Sequence, residues 1–400
     1  MKKVLAVVLM CALVISLAAC GAPQAEESTA ASPSESVEAS EQPSETQAAE
    51  ESAGSSPEAA GGIDWAARGA AAVQPNPVEF GGPTEPAKAP EGIKVALVPS
   101  DSALDGPVVP AQGVEDAGKN FGWEVQWYNG KGNPADQNKG IMDAVSWGAD
   151  VICCFSVDAA SVQQGLKAAA DAGIPVVSGS NGTDDPNTPA ELEEGQLDFL
   201  LDVGVDYKAI GVAIADWIVA DAGNEGKVAV FGAKEYPSCM MTEAGVLESL
   251  NESDMEISDV MYFTGGQVGD TLNRQVIGYL QANPDTKYIF LPYDPAAIEV
   301  TEALSTAGYT DVKVCSVLGT AQMQELIRAG SAAASAAYDM EYMGWGLADQ
   351  IIRLLNDQEL YSPHGENTPY CVIDAGNLPD EAGNWATSFD YKDKFLELWK

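Results

Sequence analysis

Residues 150–161 read DVICCFSVDAAS: a continuous apolar run, then a serine and an aspartate, then the start of a stretch with helical spacing. An apolar run of that length, broken abruptly by polar residues, is the pattern of a strand covered on both faces, as in a parallel sheet flanked by helices. Cys153 and Cys154 admit three readings: a redox pair, half of a metal site, or two small apolar residues. Adjacent residues on a strand point to opposite faces, so the two thiols do not converge on one ion, and no C-x-x-C spacing occurs anywhere in the chain. Free cysteine is a common small core residue, and that reading fits best. Beyond Cys11 and Cys20 the chain holds Cys153, Cys154, Cys239, Cys315 and Cys371, an odd number that excludes a complete disulfide set and leaves one pair open.

On either side of this strand the same rhythm continues. Before it come strands IKVALVPS (93–100) and EVQWY (124–128), separated by helical stretches; after it come AASVQQGLKAAADA, closed by Gly173, and the strand IPVVS (174–178). The rhythm resumes with the helix DYKAIGVAIADWIVADA and with strands KVAVFG (227–232), DVMYFT (259–264), KYIFLP (287–292) and VKVCSVL (312–318), each followed by a helical stretch. Then come SAAASAAYDM, the helix YMGWGLADQIIRLLN, a strand YCVIDAG and an amphipathic YKDKFLELWK. Strands alternating with helices predict an α/β fold of two Rossmann-like lobes with parallel sheets.

The opening MKKVLAVVLMCALVISLAAC has two lysines ahead of an apolar run too short for a comfortable membrane span, and reads as a secretory signal over residues 1–20. Its end, Leu17-Ala18-Ala19-Cys20, resembles a bacterial lipobox, which implies an acylated Cys20 and a protein tethered to the outer face of the cytoplasmic membrane. Residues 21–90 are rich in Ala, Ser, Glu, Pro and Gly with no Lys or Arg before Arg68, the composition of a disordered acidic spacer. Within it, Trp65 and Phe80 are candidates to dock on the folded body. The net charge of −40 rests mainly on the body beyond residue 90, and such acidity opposes binding to nucleic acid or anionic lipid.

In open parallel sheets ligands bind beyond the C-terminal strand ends, where helix N-termini point outward. The residues at those ends are Ser100, Asp101, Phe155, Ser156, Ser180, Asn181, Tyr236, Tyr293, Asp294, Leu318 and Tyr338. Several of them, taken singly, are equally readable as helix caps.

At this point four blocks carry a resemblance: FSVDAASVQQGLKAAADAGIPVV, DVGVDYKAIGVAIADWIV, LPYDPAAIEVTEALSTAGYTDVKV and QMQELIRAGSAAASAAYDMEYMGWGLADQIIRLL. In order and spacing, over residues 91 to about 375, the chain resembles the type I periplasmic binding proteins of the ribose-binding kind, the solute receptors of ABC importers. The resemblance implies a three-segment hinge, with crossings near residues 203–206, 338–340 and 373–377. The N-terminal lobe would then comprise 91–205 plus 339–375, and the C-terminal lobe 206–338 plus 376–400. It further implies a monomer that clamps a small-molecule solute, most simply a sugar, and passes it to a permease. Where sugar-binding members carry an Asp and an Arg after the IPVV strand, this chain has Ser180 and Asn181. A second-lobe Arg corresponds to Thr242, an Asn-Asp pair to Tyr293-Asp294, an Asp to Leu318, and a Gln at the second crossing to Tyr338. Asn133 keeps a polar position. Losing those charged groups removes the bidentate bonds that select a small polyhydroxy ring, and predicts a ligand with an apolar or planar face; a sugar site with rearranged contacts is the plain alternative.

Enzymes fit poorly. The single histidine, His364, stands in a turn-like loop, and no G-x-S-x-G elbow, Walker loop or G-x-G-x-x-G is present. The acidic loop NGTDDPNTPAELEEGQLD lacks EF-hand spacing, so neither a metal nor a cofactor is expected. Sugar-responsive repressors would begin with a basic helix-turn-helix, which is absent here. A lipoprotein sensor, or a receptor for a nucleoside-like solute, remains open beside import.

Overall fold

The computed structural model describes residues 62–182, 192–361, 366–381 and 383–400; Cys20, His364 and residues 183–191 of the acidic loop lie outside them. In chain order the elements are α1 (Trp65–Ala72), β1 (Lys94–Pro99), α2 (Asp105–Lys119), β2 (Glu124–Trp127), α3 (Pro134–Trp147), β3 (Val151–Phe155), α4 (Gln163–Ala172), β4 (Val176–Gly179) and β5 (Asp202–Val203). They continue with α5 (Tyr207–Ala222), β6 (Lys227–Gly232), α6 (Pro237–Asn251), β7 (Glu256–Ile257), β8 (Met261–Tyr262), α7 (Asp270–Ala282), β9 (Thr286–Phe290), α8 (Asp294–Ala307) and β10 (Lys313–Leu318). The last are α9 (Ala321–Arg328), β11 (Ala334–Tyr338), α10 (Met340–Leu355), β12 (Tyr370–Asp374) and α11 (Tyr391–Leu398).

Two sheets organise these elements, in the orders β2-β1-β3-β4-β5 and β12-β11-β10-β9-β6-β7, with β8 beside β6. Every pairing is parallel except β11 with β12, which run antiparallel with Ala336 opposite Val372. The first sheet is therefore sandwiched as the apolar VICCF run requires: all five β3 residues are buried. Cys153 packs into one core and Cys154 into another across the sheet. All five cysteines among the described residues are free and buried, and burial pushes the Cys153 and Cys154 thiols well above the ordinary range. They are core residues, neither a redox pair nor a disulfide.

Close helix approach fixes the second lobe beside its cleft. A Cβ on Gly245 of α6 would come within 2.0 Å of the Lys208 carbonyl oxygen of α5, and one on Gly211 within 2.1 Å of the Thr242 carbonyl oxygen. Only glycine lets the two backbones touch here, and that contact sets where Thr242 sits.

Two departures from the sequence expectation concern chain ends. The spacer drawn to residue 90 overlaps a segment that folds onto the body: α1 lies on α5, and the Arg68 guanidinium pairs with Asp216 and Glu252, each at 2.8 Å. Farther on, the Phe80 ring meets Phe395 edge-on at 5.1 Å. Second, β12 and α11 sit on the lobes opposite to those expected, while the stretch between them stays on the second lobe as expected, with the Trp385 amide donating to the Gly319 carbonyl oxygen. Strand β12 extends the second sheet through β11, so the passage from the first lobe precedes Tyr370 rather than falling near 373–377. The chain then returns, and α11 packs against α10, with Trp399 stacked on Trp345 at 5.6 Å and 11° between rings. The reason is local: β11 offers an open edge to YCVID, while α10 presents an aromatic face that Phe395 and Trp399 cover.

Candidate ligand-binding site

The C-terminal strand ends of both sheets face one cleft, and its inner part encloses about 600 Å³ of empty space, some of it open to solvent. The first lobe contributes Ser100 after β1, Leu104, Gly106 and Pro107 at the start of α2, Ser156 after β3 and Ser180 after β4. From the second come Tyr207, Tyr236, Cys239, Thr242, Tyr293, Leu318 and Tyr338. Three of these residues hold the backbone in the region that favours glycine: Ser156 at φ 52°, Ser180 at φ 63° and Leu318 at φ 131°. Such conformations cost free energy and cluster where a fold presents side chains to a ligand. Here each ends a strand at the cleft.

Aromatic rings form two of the walls. Tyr236 and Tyr293, the N-cap residues of α6 and α8, meet edge-to-face at 6.0 Å and 89°. Tyr207, the first residue of α5, meets Tyr338 at 6.1 Å and 89°. Burial raises the phenol pKa of all four, so they are neutral at ordinary pH. The polar groups between them are hydroxyls. Ser180 Oγ lies 3.3 Å from the Gly106 carbonyl oxygen, and Thr242 Oγ1 donates to the Ser238 carbonyl oxygen at 2.9 Å. Ser100 Oγ is buried and has no hydrogen-bond partner among the described residues. No Asp, Glu, Lys or Arg lines the inner chamber among the described residues.

A larger outer chamber, about 1620 Å³ including open solvent, shares Ser100, Leu104, Ser156, Tyr236, Tyr293 and Pro295 with the inner one. Its chemistry differs. Asp101, Lys131, Gln137, Asp158 and Glu235 line it, together with the glycines at 265 and 266. Asp101 and Asp158 each use one carboxylate oxygen to cap a turn, accepting from the Ala103 and Ala160 amides.

Nine of the sequence candidates line these chambers: Ser100, Asp101, Ser156, Ser180, Tyr236, Thr242, Tyr293, Leu318 and Tyr338. Four do not. Phe155 is fully buried inside the sheet, and its ring packs near Gly179. Asn133 caps α3, accepting from the Asp136 amide at 3.0 Å while its own amide reaches Asp136 and Lys131. Asn181 donates to the Val157 carbonyl oxygen at 2.9 Å and lies buried behind the cleft wall. Asp294 turns back into the second lobe, where Ser316, Ser335 and Thr320 donate to its carboxylate. The strand-end reading passed over Tyr207, Ser238 and Cys239, which sit within the first turns of helices rather than at strand ends. Inspecting the first helical turn after each strand would have found them.

A family model described as "Periplasmic binding protein domain" matches residues 95–359. The ribose import binding proteins of Salmonella typhimurium and Escherichia coli K12 are each 24% identical to this chain. The first aligns over 250 residues, 60% of this chain and 78% of its own length; the second over 238, with 58% and 74%. Among solved structures, an ABC transporter solute-binding protein from Agrobacterium vitis, bound with alpha-D-tagatopyranose, superposes with TM-score 0.63 at 21% identity, covering 72% of this chain and 96% of its own. Another from Mycobacterium smegmatis, with bound glycerol, gives 0.62 at 20%, covering 74% and 100%. Two lobes of parallel sheet with a cleft at the strand ends, matched by a family model across most of the described body, place the chain in the periplasmic binding protein domain family.

Proposed function

We propose that the protein is an extracytoplasmic solute receptor that captures a sugar or sugar-derived molecule between its lobes and delivers it to an ABC import permease. The observation that carries this reading is the cleft itself: residues from the strand ends of both lobes line one chamber, so hinge closure would wrap a small solute from two sides. The proteins it resembles support the solute class, since five of those solved with ligands hold tagatopyranose, glycerol, allitol, D-fucose or D-arabinose, and one holds bis-tris. For holding such a solute the inner chamber offers neutral hydroxyls and phenols.

Differential scanning of the full chain against monosaccharides, polyols, glycosides, nucleosides and amino acids tests the solute class. A solute at a hundred times its Kd adds about 2.7 kcal/mol to stability, and the sugar-derived classes are expected to supply it. Stabilisation by amino acids or nucleosides alone would overturn the reading.

Anchoring through an acylated Cys20 belongs to the same proposal, with residues 21–61 as the tether between membrane and body. In a bacterium that processes lipoproteins, Cys20→Ser is expected to move the protein from the membrane fraction to the soluble or secreted one. Retention of the variant in the membrane fraction would contradict lipid anchoring.

A further inference from the structure

The two chambers of the cleft differ in chemistry, and the difference specifies the shape of the solute. The inner chamber is walled by two edge-to-face tyrosine pairs and by Leu104, Pro107, Pro292 and Leu318, with no charged side chain among its described lining. Its polar side chains are neutral hydroxyls and phenols, and those of Ser180 and Thr242 already face carbonyl oxygens. A free monosaccharide placed there would bring a hydroxyl at almost every ring carbon between tyrosine rings and aliphatic walls with no charged partner, and each buried hydroxyl left unpaired weakens binding. A flat apolar group loses nothing on entry and gains contact with the ring edges and faces.

The outer chamber has the opposite character. Carboxylates of Asp101, Asp158 and Glu235, the Lys131 ammonium and the Gln137 amide surround it, the set that grips vicinal hydroxyls by charge-assisted bonds. Ser100 lines both chambers, is 3% exposed, and has a hydroxyl with no partner among the described residues. It stands where a solute's polar linking atom would pass from one chamber to the other.

We propose that the solute is a glycoside with two unlike halves: an uncharged aromatic or alkyl group in the inner chamber and the sugar in the outer one, the glycosidic oxygen meeting Ser100. This rests on the reading of the cleft as a site for sugar-derived solutes. It differs from that reading in requiring the apolar group.

Isothermal titration of the full chain with phenyl β-D-glucoside and phenyl β-D-riboside, each beside its free sugar, tests the requirement. The phenyl glycosides are expected to bind at least about tenfold more tightly than the free sugars, a difference of about 1.4 kcal/mol. Equal or tighter binding of glucose or ribose overturns the two-part solute and leaves the sugar-receptor reading standing. Binding of nucleosides or amino acids with neither sugar class, or of nothing, overturns both. Tyr293→Ala is expected to weaken the phenyl glycoside by about tenfold while Tyr293→Phe, which keeps the ring, stays within about threefold. Because Tyr293 is only half-buried at the chamber wall, circular dichroism should show both variants folded; equal affinities of the two would remove the ring from the site.

Discussion

Replacing Asp294 with alanine is expected to lower the unfolding free energy by about 3 to 5 kcal/mol at pH 5, because it orphans several buried donors at once, each costing about 1–3 kcal/mol. The carboxylate is fully buried at the start of α8. Ser316 Oγ lies 2.5 Å away, Ser335 Oγ 2.9 Å, and Thr320 donates from both its amide at 2.7 Å and its hydroxyl at 2.9 Å. One side chain thus ties α8 to β10, to β11 and to the cap of α9. Without it the wall that carries Tyr293 and Leu318 loses its support from behind. Urea denaturation of the wild type and variant reads the difference directly, and a change below about 1 kcal/mol would mean that water replaces the network at little cost.

The same residue makes stability depend on pH in an unusual direction. Burial pushes the Asp294 carboxyl up to about 6 from an ordinary 3.8, although its hydrogen bonds pull the other way. The folded state therefore binds its proton more tightly than the unfolded chain does. Its stabilising contribution is complete below pH 3.8 and is lost as the pH rises through 6, roughly 3 kcal/mol at about 1.4 per unit. Asp339, which accepts from the Tyr342 and Thr387 amides, is raised to about 6 by burial in the same way. Asp294→Asn removes one of these two titrations. The difference in stability between wild type and variant is expected to change across pH 4–7, shrinking as the wild-type carboxyl ionises; a pH-independent difference would show that the group does not titrate there.

Asp294 also shows how far a sequence reaches into a site. Strand ends are legible because apolar runs stop abruptly, and the rule that ligands gather there led to nine residues that line the cleft. The rule does not tell neighbours apart. Side chains alternate across a strand and its exit, so at several ends one residue faces the cleft and its neighbour faces the interior. Ser156 and not Phe155, Ser180 and not Asn181, and Tyr293 and not Asp294 face outward. The phase is set where the backbone leaves the sheet, at positions such as Ser156 and Ser180 with φ above zero, and no local pattern announces those turns. The α/β alternation was legible for a different reason: each strand and helix carries its own periodicity. The placement of the chain ends was not, because it depends on distant partners. Trp65 and Phe80 hinted that the presumed spacer docks, yet the Ala- and Pro-rich composition around them argued for disorder, and only their packing against α5 and α11 decides it.

Trp399 carries the clearest consequence of that long-range packing. It is 1% exposed; its ring stacks on Trp345 and lies 5.3 Å from Phe395, and its indole N–H donates to Asp349 Oδ1 at 2.6 Å. Asp349 is itself buried and paired with Arg353, whose guanidinium also reaches the Glu85 carbonyl oxygen. The adjoining backbone closes the arrangement, with the Ala87 amide donating to the Leu398 carbonyl oxygen at 2.8 Å. Three segments far apart in sequence, 85–89, α10 and α11, therefore share one aromatic and ionic knot on the first lobe. Truncating a buried Trp costs about 3–5 kcal/mol, and Trp399→Ala is expected to reach that range, with the loss of the near-ultraviolet signal of stacked indoles. Trp399→Phe keeps a ring against Trp345 but orphans one acceptor bond of Asp349, and should cost about 1–3 kcal/mol. The order matters more than either value. If alanine were no worse than phenylalanine, the ring would add nothing to the lobe, and α11 would be an appendage rather than part of the core that holds α10, and through it β4 and Ser180, against the cleft.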